Sequence, residues 1–244
     1  MKPMTPRSIR STIAAVLLCP FLTGSLSYAA VSTYTEGHAD LGVGYEDGEL
    51  HFHFHGEGAV IDGVVVEDAE YDAADIIIVG GAASALVLPE FFDMPGLGKS
   101  AGDTIFVLPW NQEAGLPFLG TASEELDTGD WTGGITFTLG NVVSPSGSGA
   151  FAMWRYSSFG EVMLDVSSLT GPDAVTTFTG SHDHYNWGFT EPGLWEIELT
   201  ASGTHVTDGF KSDTQVFRFQ IIPEPASAAL AVLGAAGILI RRRR

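Results

Sequence analysis

The chain has 244 residues, 45% of them hydrophobic and 17% charged, with 11 Lys and Arg against 30 Asp and Glu and a formal net charge of −19. That length buries a core without disulfides, and so acidic a chain lacks the basic surface that nucleic-acid binding requires. The 30 glycines follow no collagen period and lie among Val, Ile, Phe and Trp, which excludes a fibrous or disordered body.

The charge is unevenly laid out. Residues 1–30 hold three bases (Lys2, Arg7, Arg10) and no acid. Residues 31–222 hold four bases (Lys99, Arg155, Lys211, Arg218) against 29 acids, the 30 less Glu224, a balance of −25. Such a body repels polyanions and attracts cations, although an acidic surface also serves simply to keep an exported protein soluble.

Residues 1–30 read as a secretory signal peptide. A basic start leads into the apolar stretch Ile13–Phe21, and Ser27-Tyr28-Ala29 supplies small residues for a signal peptidase to cut near Ala29 or Ala30. Cys19, the one cysteine in the sequence, leaves with that segment. Any metal site in residues 31–222 must then be built from nitrogen and oxygen ligands.

Residues 31–222 show short β-branched and aromatic runs separated by Gly, Pro, Asp and Asn. Strands are expected at Glu49–His55, Asp75–Val79, Thr104–Leu108, Gly134–Leu139, Gly149–Tyr156, Val162–Val166, Ala174–Thr179, Gly193–Ser202 and Thr214–Ile221. Ile135, Phe137 and Leu139 alternate with threonines, and Trp195, Ile197 and Leu199 alternate with acids, so each set faces a core. Gly140–Gly149 reads as an exposed loop, a seam between two halves. Pro192-Gly193 suits a type II turn, with Trp187 and Phe189 buried beside it. Trp110, Trp131 and Trp154 are open candidates for stacking on sugar. The pattern predicts an all-β antiparallel β-sandwich, Ig-like or jelly-roll-like.

The seven histidines carry the chemistry: His38, His51, His53, His55, His182, His184 and His205. In His51-Phe52-His53-Phe54-His55 every imidazole shares one strand face, with neighbours roughly 7 Å apart. His182-Asp183-His184 repeats the spacing before a turn. Two such rings converge on one ion when the next strand adds a third ligand, and neutral imidazole suits Zn, Cu, Fe and Ni. The plainer alternatives are a solvated polar strand face for the first set and turn hydrogen bonds for the second. His38 and Asp40 read as a loop entering the first strand, and His205 as a surface residue.

The C-terminal end has three parts: Pro223-Glu224-Pro225, the uncharged Ala226–Ile240, and Arg241, Arg242, Arg243 and Arg244. Fifteen helical residues span about 22 Å, short of the roughly 20 residues of a full membrane helix. This order resembles the PEP-CTERM sorting signal of Gram-negative bacteria that make exopolysaccharide. The resemblance implies transient insertion through this helix with the arginines cytoplasmic, recognition by an exosortase, cleavage near Pro-Glu-Pro, and delivery to the cell surface, the outer membrane or the extracellular matrix.

The segment His182–Trp195 (His-Asp-His-Tyr-Asn-Trp-Gly-Phe-Thr-Glu-Pro-Gly-Leu-Trp) resembles the signature of the choice-of-anchor M domain of bacterial surface-anchored proteins. Gly37-His38-Ala39-Asp40-Leu41-Gly42, Asp47-Gly48-Glu49-Leu50, Leu97-Gly98 and Leu108-Pro109-Trp110-Asn111-Gln112 match the same group, so the resemblance spans roughly residues 34–222. It implies a domain over 31–222, between the signal peptide (1–30) and the sorting segment (223–244). Some members of that family occur beside metal-type ABC transporters, which implies a surface metal-handling role. His38, Asp40, His182 and His184 match the family's recurring polar positions; the His51, His53 and His55 run does not and forms a secondary set.

The expected function is therefore a non-catalytic surface or matrix binding module holding a divalent metal, Zn or Mn, on His38, Asp40, His182 and His184. Its partners would be signal peptidase and exosortase during processing, then an exopolysaccharide or a metal-uptake system. The alternative is a structural or adhesive matrix component that binds glycan without metal. No Gly-x-Ser-x-Gly elbow, His-Glu-x-x-His helix or phosphate loop appears, so no enzyme is expected.

Overall fold

The computed structural model describes residues 31–223, which form an all-β protein with two single turns of 3-10 helix. The signal-peptide reading and the sorting signal from Glu224 onward, including Pro225 and Arg241–Arg244, fall outside the described residues; Pro223 is the last one inside. Among the described residues no helix is long and apolar enough to cross a membrane.

The strands in chain order are β1 (Ser32–Glu46), β2 (Glu49–Gly56), β3 (Ala59–Ile61), β4 (Val64–Val66), β5 (Ala69–Tyr71) and β6 (Ile76–Gly80). Next come β7 (Ala85–Val87), β8 (Thr104–Leu108), β9 (Pro117–Ala122), β10 (Gly134–Val143), β11 (Phe151–Tyr156) and β12 (Val162–Ser167). The last are β13 (Ala174–Phe178), β14 (His182–His184), β15 (Asn186–Phe189), β16 (Gly193–His205) and β17 (Gly209–Ile221).

Two sheets result. One runs β13-β10-β16-β17-β6-β1-β2-β5, with β9 paired to β1 and β14 to β9; the other runs β12-β11-β15-β8-β7. The second is antiparallel throughout. The first is mixed: β6 lies parallel to both β1 and β17, and β9 lies parallel to β1. This corrects the purely antiparallel expectation. Side chains alternate in the same way in both kinds of pairing, so the sequence pattern does not separate them. The run Ile76-Ile77-Ile78-Val79 does show the continuous apolar character of a strand between parallel neighbours.

One hydrophobic core joins the sheets. Trp195, Ile197, Leu199, Phe217 and Phe219 enter it from the first sheet, and Phe106, Phe151, Trp187 and Phe189 from the second. Phe219 packs against Trp187 and Phe189 with ring centroids 5.7 and 5.2 Å apart. Trp187 is fully buried, and its indole N–H donates to the Leu119 carbonyl at 3.0 Å, which ties the second sheet to β9. Trp187→Ala is expected to cost about 3–5 kcal/mol of stability, read from the midpoint of denaturant unfolding.

Several local expectations need correction. Gly140–Gly149 is not all loop: Val142 and Val143 still pair with Ile197 and Glu196 after an irregularity in β10. Nor is it a seam, because β10 before it and β11 after it line the same core. Trp131 and Trp154 are buried rather than open to sugar. His205 is 9% exposed, stacked on Tyr45 at 4.7 Å and edge-on to Trp131 at 5.3 Å.

The largest revision concerns His38 and Asp40, which lie within β1 and not in a loop. Ala39, Leu41 and Val43 are buried, while the alternate positions are His38, Asp40, Gly42 and Gly44. The polar and glycine-rich face hid a strand of regular period. The beginning of β1, Ser32–Tyr34, runs beside β6, whereas Gly37–Gly42 runs beside β9 and Ala39–Glu46 beside β2. The strand turns at Gly37, where φ is +88° and a Cβ would sit 2.3 Å from the Gly58 carbonyl oxygen. Only glycine combines that backbone angle with that clearance.

Candidate metal centre

The strands β14, β9, β1, β2 and β5 lie side by side in that order. Their registers set up cross-strand rows. His184 pairs with Gly120, Gly120 with Asp40, Asp40 with His55, and His55 with Glu70. The next row is His182, Ala122, Gly42 and His53. Paired residues share a sheet face, so six of the seven histidines gather on one face. The opposite face, with Leu41, Val43, Phe52, Phe54 and Leu119, enters the core.

The middle strands contribute small residues to the histidine face, which leaves room for rings to lean inward from both sides. Gly120 is the tightest point. A Cβ there would lie 2.2 Å from Asp40 Oδ1, 2.8 Å from the Asp183 carbonyl oxygen and 3.1 Å from His184 Cε1.

Over this floor the structure brings His38, Asp40, His182 and His184 together. His38 Nε2 is 3.1 Å from His184 Nε2 and 3.4 Å from Asp40 Oδ2, and His184 Nε2 is 3.8 Å from Asp40 Oδ1. Two metal–nitrogen bonds of about 2.0–2.1 Å at a tetrahedral angle place their nitrogens roughly 3.3 Å apart. The observed separations bracket that edge. Nitrogen atoms of His38, His182 and His184 lie within 4.8 Å of one another, as do the ligand atoms of Asp40, Glu124 and His182. His182 Nδ1 is 2.8 Å from Glu124 Oε1, a carboxylate contact that orients the ring and leaves Nε2 as its free nitrogen. Phe118 lies flat on His184, with centroids 3.7 Å and planes 8° apart, and walls the cluster from below.

The electrostatics suit a cation. Asp40 is 4% exposed, and its Oδ1 has no hydrogen-bond partner; neither does the buried Nδ1 of His184. A buried carboxylate oxygen without a donor is costly. Burial raises the Asp40 carboxyl to about 6, against the opposing pull of His38 and His182. Burial, followed by the charges of His38 and His182, lowers His184 to about 3, so its imidazole stays neutral, the form that ligates metal. In His182 burial works downward, but the Glu124 hydrogen bond and the Asp40 charge outweigh it and raise the group. A metal at this ring competes with a proton.

The secondary set lies on the same face. His53 is 1% exposed, with Nε2 3.0 Å from Glu125 Oε1 and Nδ1 3.3 Å from the His51 carbonyl oxygen. Ligand atoms of His53, Glu70 and Glu125 lie within 4.8 Å of one another. His55 Nε2 is 2.8 Å from Asp68 Oδ1, and exposed His51 stacks on His53 with centroids 5.3 Å apart. The Glu125 hydrogen bond and charge raise His53 despite its burial, and the same hydrogen bond lowers Glu125.

Glu70, Glu124 and Glu125 are absent from the sequence-based candidates. Glu124 and Glu125 directly follow Ser123 after β9, Glu70 lies in β5, and nothing in the local sequence marks them among the other acids. Trp110 remains from the proposed sugar-stacking residues. It is half-buried and edge-on to Tyr156, at the wall of a separate cavity of about 270 Å³.

The chain matches no known protein family, no curated protein and no solved structure.

Proposed function

We propose that the protein is an exported, non-catalytic binding module, a β-sandwich of two facing sheets, that holds one divalent cation on His38, Asp40, His182 and His184. The observation that carries this reading is the 3.1 Å approach of the His38 and His184 Nε2 atoms beside the buried, unpartnered Asp40 Oδ1. Two lone-pair nitrogens and a carboxylate oxygen at such distances repel one another unless a cation or proton lies between them. Three nitrogens and one oxygen favour Zn2+ over Mn2+. Four protein ligands close a tetrahedral site and leave no open position for substrate, which favours holding a metal over catalysis.

The acidic body concentrates cations around this face. The basic, apolar N-terminal segment and the resemblance of the C-terminal end to a PEP-CTERM signal support processing by signal peptidase and exosortase. They also support a place at the cell surface or in the extracellular matrix, where an exopolysaccharide or a metal-uptake system would be the partner. Elemental analysis of the untagged protein after dialysis against Zn2+ tests the site. His182→Ala/His184→Ala is expected to retain about one Zn2+ per chain fewer than the parent protein. Equal metal content in the two proteins would refute the assignment.

A further inference from the structure

Beside the proposed centre, the same sheet face carries a group that shares none of its four ligands. His53 projects from β2, Glu70 from the neighbouring edge strand β5, and Glu125 from the chain just after β9. We infer that His53, Glu70 and Glu125 form a second divalent-cation site, selective for a harder ion of the Mn2+ class.

The hydrogen-bonding pattern makes the first argument. His53 Nδ1 lies against the His51 carbonyl oxygen, an acceptor, so this nitrogen carries the ring proton. Nε2 then presents a lone pair to Glu125 Oε1 at 3.0 Å, acceptor against acceptor. Something positive must lie between them, either a second proton or a metal ion. Glu70 brings another carboxylate within 4.8 Å of both, a set that one proton cannot bridge and one metal ion can.

Space makes the second argument. Glu125 reaches over β1 at Gly42 and Gly44. A Cβ at Gly44 would lie 2.9 Å from Glu125 Oε2, and one at Gly42 would lie 3.5 Å from His53 Nε2. A cleft of about 220 Å³, lined by Gly44, Tyr45, His51, His53, Glu70 and Glu125, opens above them. That volume admits the waters that complete an octahedral shell. One nitrogen and two carboxylates form a harder ligand set than three imidazoles and one carboxylate, which separates the two sites by metal preference. Consecutive residues serve both, since Glu124 contacts His182 and Glu125 contacts His53.

This inference stands on its own residues, whether or not the first centre binds. The test uses the untagged full chain, stripped with chelator and titrated with Mn2+ while free Mn2+ is followed by its paramagnetic resonance signal. Zn2+ is titrated in parallel by equilibrium dialysis. Glu70→Gln/Glu125→Gln is expected to lose one Mn2+ equivalent, or to bind it at least tenfold more weakly, while keeping the Zn2+ equivalent that His182→Ala/His184→Ala removes. The single Glu70→Gln change, on an exposed side chain, gives the same weakening with the fold undisturbed, checked by circular dichroism. Mn2+ binding unchanged in both Gln variants, or absent from the parent chain, overturns the second site. Zn2+ binding unchanged in His182→Ala/His184→Ala overturns the first alone.

Discussion

Zn2+ at a hundredfold excess over its dissociation constant is expected to raise the melting temperature by about 5–10 °C, and the increment should vanish in His184→Ala. The size follows from mass action: a ligand that binds only the folded state adds about 2.7 kcal/mol at that excess. Each kcal/mol moves the midpoint of a domain of this size by roughly 2–4 °C. A bound metal would also relieve a local cost, because Asp40 is buried with Oδ1 unpartnered. Without added metal, Asp40→Asn is therefore expected to melt higher than the parent protein at pH 7, since a neutral amide is cheaper to bury than a carboxylate. With Zn2+ the order should reverse. A site that lowers the stability of the free protein and raises that of the complex is the signature of a functional cluster. Differential scanning calorimetry of the two proteins, with Zn2+ and with chelator, reads all four values. An Asp40→Asn protein stabilised by Zn2+ as strongly as the parent would remove Asp40 from the ligand set.

Gly120→Ala is expected to abolish Zn2+ retention while leaving a folded protein. The added methyl would lie 2.2 Å from Asp40 Oδ1, and Asp40 can answer that contact only by turning out of the site. It would also lie 2.8 Å from the Asp183 carbonyl oxygen. That oxygen is backbone of the paired strand β14, so β14 must move away from β9 and take His182 and His184 with it. Overpacking of this kind costs about 1–3 kcal/mol. Gly81→Ala is the control, because its nearest non-neighbouring atom is 4.0 Å away and its φ is −66°. It should leave both melting temperature and metal content unchanged. Elemental analysis and thermal melts of the two variants decide the matter.

These effects depend on features that the sequence displays unequally. β16 is plain to read, because Trp195, Ile197 and Leu199 alternate with Glu196 and Glu198 across a strongly two-sided strand. β1 obeys the same period, but its outer positions are His38, Asp40, Gly42 and Gly44, a composition that imitates a loop. β9 begins with Pro117 and carries Gly120, both of which weaken a strand signal. Here the residues that make the site possible are the ones that disguise its scaffold. His182 and His184 could be nominated from residue type and spacing, and His38 and Asp40 only through the resemblance to the choice-of-anchor M domain. Glu70, Glu124 and Glu125 could not, since nothing local distinguishes them from the many other acids of the body. The surroundings of His205 were equally hidden, because Tyr45 and Trp131 reach it only through the folded sheet.

The position of β14 gives the cluster a mechanical meaning. It is a three-residue strand at the sheet edge, paired only with β9. His38 and His184 are 146 positions apart in the chain, and a shared ion would close that whole span. A covalent bridge over such a loop would be worth about 5 kcal/mol by loop-closure entropy. Residues 31–244 contain no cysteine to make one. The metal would thus act as the clasp of a body without disulfides. It would be indifferent to reductants, opened by chelators, and able to report the supply of metal by how firmly the edge of the sheet is fastened.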